Sequence, residues 1–231
     1  MVETRKIFTG RAIVMMVLVV LIAPFLPMII SSHWDWPEAW VYAITSILTF
    51  VGSRALAGRR HPDLLVERAR FMQAKDTKPW DKVLAPLLAL GSIFILVVAG
   101  VDRLFGWSPG LAAGVNITGL IGLVLGYAFS SWAPIENRFF SGTVRIQSER
   151  GHHVVSSGPY RIVRHPMYAG YMVANVGLFM LMPSLMNLAI YTITWWAQIL
   201  RVTAEERHLL EDEAYRELTR KVRYRLIPGL F

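Results

Sequence analysis

The chain of 231 residues is 54% hydrophobic and only 17% charged, whereas about 25% of residues are charged in an average soluble domain. It contains no cysteine, which excludes thiol catalysis, disulfide bonds and cysteine-ligated metals. The formal net charge is +8, and the basic residues are dispersed beside apolar runs. This pattern predicts an integral membrane protein in contact with anionic membrane lipids, and it argues against a nucleic-acid partner.

Long uncharged runs predict six membrane-spanning helices, because about 20 apolar residues are needed to cross a bilayer. The first run contains Pro24 and Pro27, lacks a cleavage motif and is interpreted as a retained anchor rather than a signal peptide. A Gly/Pro-rich turn at 106–110 precedes the fourth span, and Pro183 divides the last run into two helices. The predicted spans are 12–30, 37–53, 83–101, 111–135, 167–182 and 184–201.

The connections between these spans differ sharply in their content of Lys and Arg. The N-terminal tail holds three, residues 54–82 eight, residues 136–164 five and residues 201–231 seven, so 23 of the 24 fall on one side and Arg103 alone on the other. Since basic connections stay in the cytoplasm, both termini are predicted to be cytoplasmic. The predicted fold class is therefore an all-α integral membrane protein with about six transmembrane helices and a cytoplasmic C-terminal helix.

Two regions are expected along the chain. Residues 1–135 hold four spans and a basic cytoplasmic loop at 54–82, with a short helix expected at 64–74. Residues 136–231 form the expected catalytic region, with extended patches near 143–147, a helical hairpin at 167–201 and an amphipathic helix at 205–222.

The segment 157–170, SGPYRIVRHPMYAG, places two arginines, a histidine and two tyrosines directly against the fifth span. Arg201, Glu205 and Glu206 follow the sixth span, at the other end of the same hairpin. Charged groups at a membrane segment are costly and indicate a functional site, here for a charged small molecule. The structural alternative is that the arginines are membrane anchors and that the two glutamates stabilise a first helical turn. The histidine spacings match no metal-ligand pattern, so no metal site is predicted.

Residues 142–231 resemble the C-terminal half of the isoprenylcysteine carboxyl methyltransferase family, including its prokaryotic relatives. Phospholipid N-methyltransferases share the glutamate pair and the hairpin. Two places depart from the family pattern and are expected outside the cofactor contacts: Glu211 and Asp212 stand where Phe-Gly is common, and Leu218 replaces a tyrosine. The matching elements are 144–147 (VRIQ), 152–160, 164–170 (RHPMYAG), Arg201, Glu205, Glu206, Tyr215 and 226–228 (LIP).

The resemblance implies an S-adenosylmethionine-dependent methyltransferase with the cofactor on the cytoplasmic side of a prokaryotic membrane. A lipophilic or prenylated acceptor would enter from the bilayer, and carboxyl O-methylation of an isoprenylcysteine-like substrate is the reaction expected. Arg164 or Arg201 suits the carboxylate of such an acceptor. The residues implied to line the cofactor pocket are Gln147, His152, Val155, Gly158, Tyr160, His165, Pro166, Tyr168, Glu205 and Glu206.

Membrane sterol and steroid reductases, which bind NADPH, are an alternative. They carry a similar Arg-His-Pro-x-Tyr helix and a similar tail, which reads Ile-Pro-Gly-Leu-Phe at 227–231 here. Against them, the chain lacks their additional spans and has Tyr171 where they carry an acidic residue. Glu205 and Glu206 also suit a cationic cofactor better than a polyphosphate. A phospholipid N-methyltransferase is the second alternative.

Overall fold

The structure is a computed structural model that describes residues 14, 17–64, 78–140, 147 and 150–231. These residues form helices and connecting turns without a strand, so the predicted all-α class is confirmed. The helix predicted at 64–74 and the extended patch at 143–147 lie almost wholly outside the described residues. The α-helices are α1 (Leu26–Ser31), α2 (Pro37–Arg60), α3 (Asp81–Phe105), α4 (Ala113–Glu136), α5 (Pro166–Leu181), α6 (Asn187–Leu209) and α7 (Glu213–Lys221).

The helices have the surface of a membrane protein. Within the described residues, α2, α3 and α4 are long and apolar enough to cross a bilayer, and the stretch Leu18–Ser31 and α5 are shorter apolar helices. Leu48, Leu125 and Trp196 are 67%, 62% and 62% exposed. Lipid tails favour such side chains, whereas water does not. An integral membrane protein is therefore supported, and the number of six spans stays a prediction.

The first apolar run is irregular where its prolines lie. A π-helical stretch (Leu18–Ile22) and a 3-10 turn (Ala23–Phe25) precede α1, and Pro24 and Pro27 fall within this region. Proline lacks the N–H that a continuous helix requires, so local π and 3-10 geometry replaces the regular ladder.

Two helix boundaries differ from the prediction. Helix α2 continues to Arg60 rather than ending at residue 53, because the first break in the chain is His61-Pro62. Helix α6 continues to Leu209, and the amphipathic helix begins only at Glu213 instead of residue 205. Asp212 starts it by accepting a hydrogen bond from the Ala214 N–H at 2.9 Å. Glu205 and Glu206 therefore lie in the last turns of α6 and not in the first turn of a new helix.

Helices α4 and α5 pack backbone against backbone. A Cβ placed on Gly126 would lie 2.4 Å from the Ala174 nitrogen, and one on Gly170 would lie 2.5 Å from the Gly126 oxygen. The same closeness recurs along the pair, where a Cβ on Gly177 would lie 2.4 Å from the Leu123 nitrogen. Small residues permit such an approach in membrane bundles, where close packing drives helix association.

Hydrogen bonds join the turns at one end of the bundle, which we call the closed end (residues 102–108 and 184–185). The Asp102 carboxylate accepts hydrogen bonds from the Ser108 N–H at 3.0 Å, the Ser108 hydroxyl at 2.8 Å and the Ser184 hydroxyl at 2.7 Å. The Ser108 hydroxyl accepts one from the Leu185 N–H at 2.9 Å. The turn after α3 is thereby fixed to the turn before α6.

Candidate functional site

A cavity of about 290 Å³ lies at the opposite end of the bundle and is lined by most of the predicted site residues. We call this end, which is formed by Arg60, Asp81, Glu136, Pro166 and Arg201, the basic end. The walls of the cavity come from the segment after α4, the segment before α5, the first turn of α5, the last turns of α6, and α7. Its size is close to the lower limit for small-molecule pockets, about 300 Å³. The predicted residues that line it are His152, Val155, Tyr160, Arg164, His165, Pro166, Tyr168, Arg201 and Glu205.

Gly158 forms the turn that brings Tyr160 into the wall. Its φ of +56° is a left-handed conformation that side chains rarely adopt, and a Cβ there would lie 2.9 Å from Cγ of Glu136. The 3-10 turn that follows buries Tyr160, whose hydroxyl accepts a hydrogen bond from the Asn137 amide at 3.3 Å. Burial raises the pKa of Tyr160, so its phenol stays neutral. Gly158 thus shapes the site without lining it.

Glu206 is buried behind the cavity and bound by two arginines. Its Oε1 lies 2.5 Å from Nε of Arg164, and its Oε2 lies 2.5 Å from Nε of Arg225. The Tyr215 hydroxyl donates to Oε1 at 3.3 Å, and Nε2 of His165 lies 3.4 Å from the same oxygen. Burial opposes ionisation of Glu206, but the hydrogen bonds and charges of His165 and Arg164 outweigh it and lower its pKa to about 2.

The C-terminal segment completes this arrangement. Nη1 of Arg164 donates to the carbonyls of Val222 at 2.7 Å and Arg223 at 2.8 Å. The backbone N–H of Arg164 donates to the Tyr224 carbonyl at 3.0 Å, and that of His165 to the Arg225 carbonyl at 2.9 Å. The tail therefore holds the turn before α5 in place.

Glu205 differs from Glu206 in its burial and in its partners. It lines the cavity and is half-buried, and the described residues offer its carboxylate no hydrogen-bond or ion-pair partner. Adjacent helical residues point about 100° apart, so one glutamate faces the interior of the protein and the other the cavity. Glu205 is the carboxylate that remains available to a ligand.

Arg201 is held by a carboxylate that the sequence analysis did not identify. Its Nε lies 2.6 Å from Oδ1 of Asp81, the first residue of α3, whose side chain is completely buried. Nη1 of Arg201 donates to the Tyr168 hydroxyl at 2.5 Å. The signal available in the sequence was a carboxylate placed at the start of a long apolar run, which is costly unless it is paired.

Gln147 lies in the wall behind the cavity. It is fully buried, and its amide donates to the Phe139 carbonyl at 2.6 Å. The Phe139 ring lines the cavity and contacts the rings of His152 and His153 at centroid distances of 5.0 and 4.7 Å. Gln147 is thus placed to support an aromatic wall.

Several lining residues lie outside the predicted set. Asp212 and Leu218, two of the departures from the family pattern, line the cavity, and their place outside the cofactor contacts stays a prediction. The segment 210–212 turns back towards the cavity after α6, which brings α7 into its wall. Tyr215, Asn137 and Phe139 also line it. Burial, followed by the charge of Glu206, raises the pKa of Tyr215, so its phenol stays neutral.

Part of the chain that forms this arrangement is similar to a known protein family. The sequence profile of the isoprenylcysteine carboxyl methyltransferase family matches residues 119–211, from α4 to the end of α6. The family resemblance is confirmed. The region similar to isoprenylcysteine carboxyl methyltransferases contains Tyr160, Tyr168, Arg201 and Glu205, whereas Asp81 and the C-terminal segment lie outside it.

Individual relatives are each similar to less than half of the chain. Protein-S-isoprenylcysteine O-methyltransferase B of Arabidopsis thaliana is 32% identical over 93 residues, which cover 39% of this chain and 47% of that protein. The Schizosaccharomyces pombe enzyme is 29% identical over 104 residues, covering 43% and 44%. A probable protein-S-isoprenylcysteine O-methyltransferase of Oryza sativa subsp. indica is 26% identical over 112 residues, covering 47% and 59%. The chain thus spans about half the length of the curated relatives it matches.

Proposed function

We propose that the protein is a membrane methyltransferase that uses S-adenosylmethionine to methylate the carboxylate of an isoprenylcysteine-like lipid. The observation that carries the proposal is Glu205, a carboxylate without a partner among the described residues, in a cavity walled by aromatic rings. The similarity to isoprenylcysteine carboxyl methyltransferases over residues 119–211 supports the same activity.

The chemistry of the cavity fits this cofactor. S-adenosylmethionine carries two cationic groups, a sulfonium and an ammonium, and both carboxylates and aromatic faces attract cations. Glu205 supplies the carboxylate, and Tyr160, Tyr168 and Phe139 supply the rings. Arg164 and Arg201 also line the cavity, but each forms an ion pair with a carboxylate of the chain itself. The ammonium end is therefore proposed to bind Glu205, with Glu206 holding the wall behind it.

When bound, S-adenosylmethionine would supply an electrophilic methyl group that a carboxylate oxygen takes as the sulfur becomes a neutral thioether. The residues of the chain need only bind the two reactants, align them and exclude water. No general base is required, because a carboxylate is ionised near neutral pH. Tyr160 and Tyr215 agree with a reaction that needs no general base. Their neutral phenols can form hydrogen bonds to the reactants and do not act as bases.

The proposed roles of Arg164 and Arg201 follow from their partners. That one of them orients the acceptor carboxylate stays a prediction. Their contacts favour positioning, because Arg164 fixes Glu206 and the tail whereas Arg201 fixes Tyr168. The site and both termini are proposed to lie on the cytoplasmic side of a prokaryotic membrane, and the charge distribution supports this orientation.

Calorimetry on the purified protein in detergent tests the proposal. Wild type should bind S-adenosylmethionine in preference to NADPH, and Glu205→Gln should weaken that binding at least tenfold without lowering the unfolding temperature. Glu217→Gln, the same change at an exposed position of α7, is the control and should bind as wild type does. Preference for NADPH would favour the reductase. Unchanged affinity in Glu205→Gln would remove the assigned role of this residue.

A further inference from the structure

A second cavity of about 350 Å³ lies between the apolar helices. Its walls come from the stretch before α1 and from α2, α3, α4 and α5. Most of the lining is apolar, and hydroxyl groups are distributed among the apolar side chains, including those of Tyr42, Thr49, Ser92, Ser130 and Tyr171. A pocket of this kind suits a molecule that is mainly hydrocarbon and carries a polar group.

The two cavities adjoin. Phe140 and Met167 line both of them, Phe140 just after α4 and Met167 in the first turn of α5. Tyr171 follows Met167 by one helical turn and lines the apolar cavity. A molecule in the apolar cavity therefore lies next to whatever occupies the cavity at Glu205.

Arg54 brings a positive charge to the apolar cavity. It belongs to the membrane helix α2, six residues before the end of that helix, and its guanidinium lies 4.4 Å from the centre of the Phe50 ring. Within the described part of the chain, no carboxylate pairs with it. Arg60, Arg164 and Arg201, by contrast, are each within 3.0 Å of a carboxylate oxygen, at 2.9, 2.5 and 2.6 Å respectively.

A cation without a counter-charge in the wall of an apolar cavity is costly and indicates a binding function. We propose that Arg54 binds the carboxylate of the methyl acceptor while the apolar chain of the acceptor fills the second cavity. The inference rests on the proposed function, and it assigns the acceptor-binding charge to α2, outside the region similar to isoprenylcysteine carboxyl methyltransferases. A guanidinium suits this task because it forms two parallel hydrogen bonds to a carboxylate.

Binding measured without cofactor tests this inference separately from activity. The probes are N-acetyl-S-farnesylcysteine, its uncharged methyl ester, and palmitate. We expect wild type to bind the farnesylated acid at least tenfold more tightly than its ester, because a hydrogen bond to a charged group is the contact removed. Arg54→Gln should abolish this difference, and Arg54→Lys should keep part of it. Arg59→Gln, an exposed arginine of the same helix, should behave as wild type does.

One further measurement separates a failure of the Arg54 assignment from a failure of the proposed function. Titration with S-adenosylmethionine should give equal affinities for wild type and Arg54→Gln, which shows that the variant is folded. If wild type binds S-adenosylmethionine but does not distinguish acid from ester, or if Arg54→Gln still does, the role of Arg54 is refuted and the proposed function stands. If wild type fails to bind S-adenosylmethionine, the proposed function itself fails. Tighter binding of palmitate than of the farnesylated acid, lost in Arg54→Gln, supports the role and identifies a fatty-acid carboxylate as its ligand.

Discussion

Arg201 and Asp81 form a buried ion pair across the bundle although 120 positions separate them in the sequence. Two hydrogen bonds join them, at 2.6 Å from Nε to Oδ1 and 3.1 Å from Nη2 to Oδ2. The third nitrogen of Arg201 binds the Tyr168 hydroxyl, so the start of α3 is connected through α6 to the wall of the cavity. The part of the chain outside the family match thereby contributes directly to the site.

Asp81→Asn should destabilise the protein strongly. The substitution leaves the guanidinium of Arg201 buried without its counter-charge, which costs about 3–5 kcal/mol. Thermal unfolding in detergent measures the effect, and Asp35→Asn, the same change at an exposed site, is the control. The double variant Asp81→Asn/Arg201→Gln should recover part of the loss, since it removes both charges. Equal stabilities of Asp81→Asn and wild type would contradict the pairing.

Gly177→Ala should separate α4 from α5. The new methyl group would lie 2.4 Å from the Leu123 nitrogen and 2.6 Å from the Gly119 oxygen, and backbone atoms cannot move aside as a side-chain tip can. Overpacking of this kind costs about 1–3 kcal/mol. Gly52→Ala in α2 has no atom within 4 Å of its new methyl group and should be neutral or slightly stabilising. A fall in unfolding temperature for Gly177→Ala alone is the expected result.

Gly158→Ala should impair the cofactor cavity. Gly158 and Gly151 both have left-handed backbones, with φ of +56° and +66°, so alanine at either position costs about 1 kcal/mol of strain. Only at Gly158 does the methyl group also meet a neighbour, Cγ of Glu136 at 2.9 Å. We therefore expect S-adenosylmethionine affinity to fall in Gly158→Ala and to be retained in Gly151→Ala. Equal affinities in the two variants would mean that the contact with Glu136 is unimportant.

Stability should depend on Glu206 at acidic pH. Its folded-state pKa of about 2 lies below the ordinary value of 4.5, so the unfolded chain takes up its proton more readily. The stabilisation it provides is fully present above about pH 4.5 and is lost as the pH falls towards 2. Unfolding temperatures between pH 7 and 2 should decline less steeply for Glu206→Gln than for wild type. Glu217→Gln serves as the control and should decline in parallel with wild type.

The sequence predicted the class of the fold because uncharged runs are the strongest signal of membrane helices. It predicted helix ends less well, since charged residues at 54–60 continue α2 instead of beginning a loop, and those at 205–209 continue α6 instead of beginning a new helix. The family pattern identified most lining residues, but it did not separate Glu205 from Glu206. That distinction depends on which face of α6 meets Arg164 and Arg225, and long-range packing sets this orientation.

The hydrogen bonds of Asp102 restrict how the helices of the bundle can move against each other. They join the turns of the closed end, whereas both cavities reach the basic end through Phe140 and Met167. Relative motion of the helices is therefore smallest at the closed end. Admission of a long lipid would then require α2 to move away from α4 at the basic end and to break the 2.9 Å ion pair between Arg60 and Glu136, while the turns at Asp102 stay together.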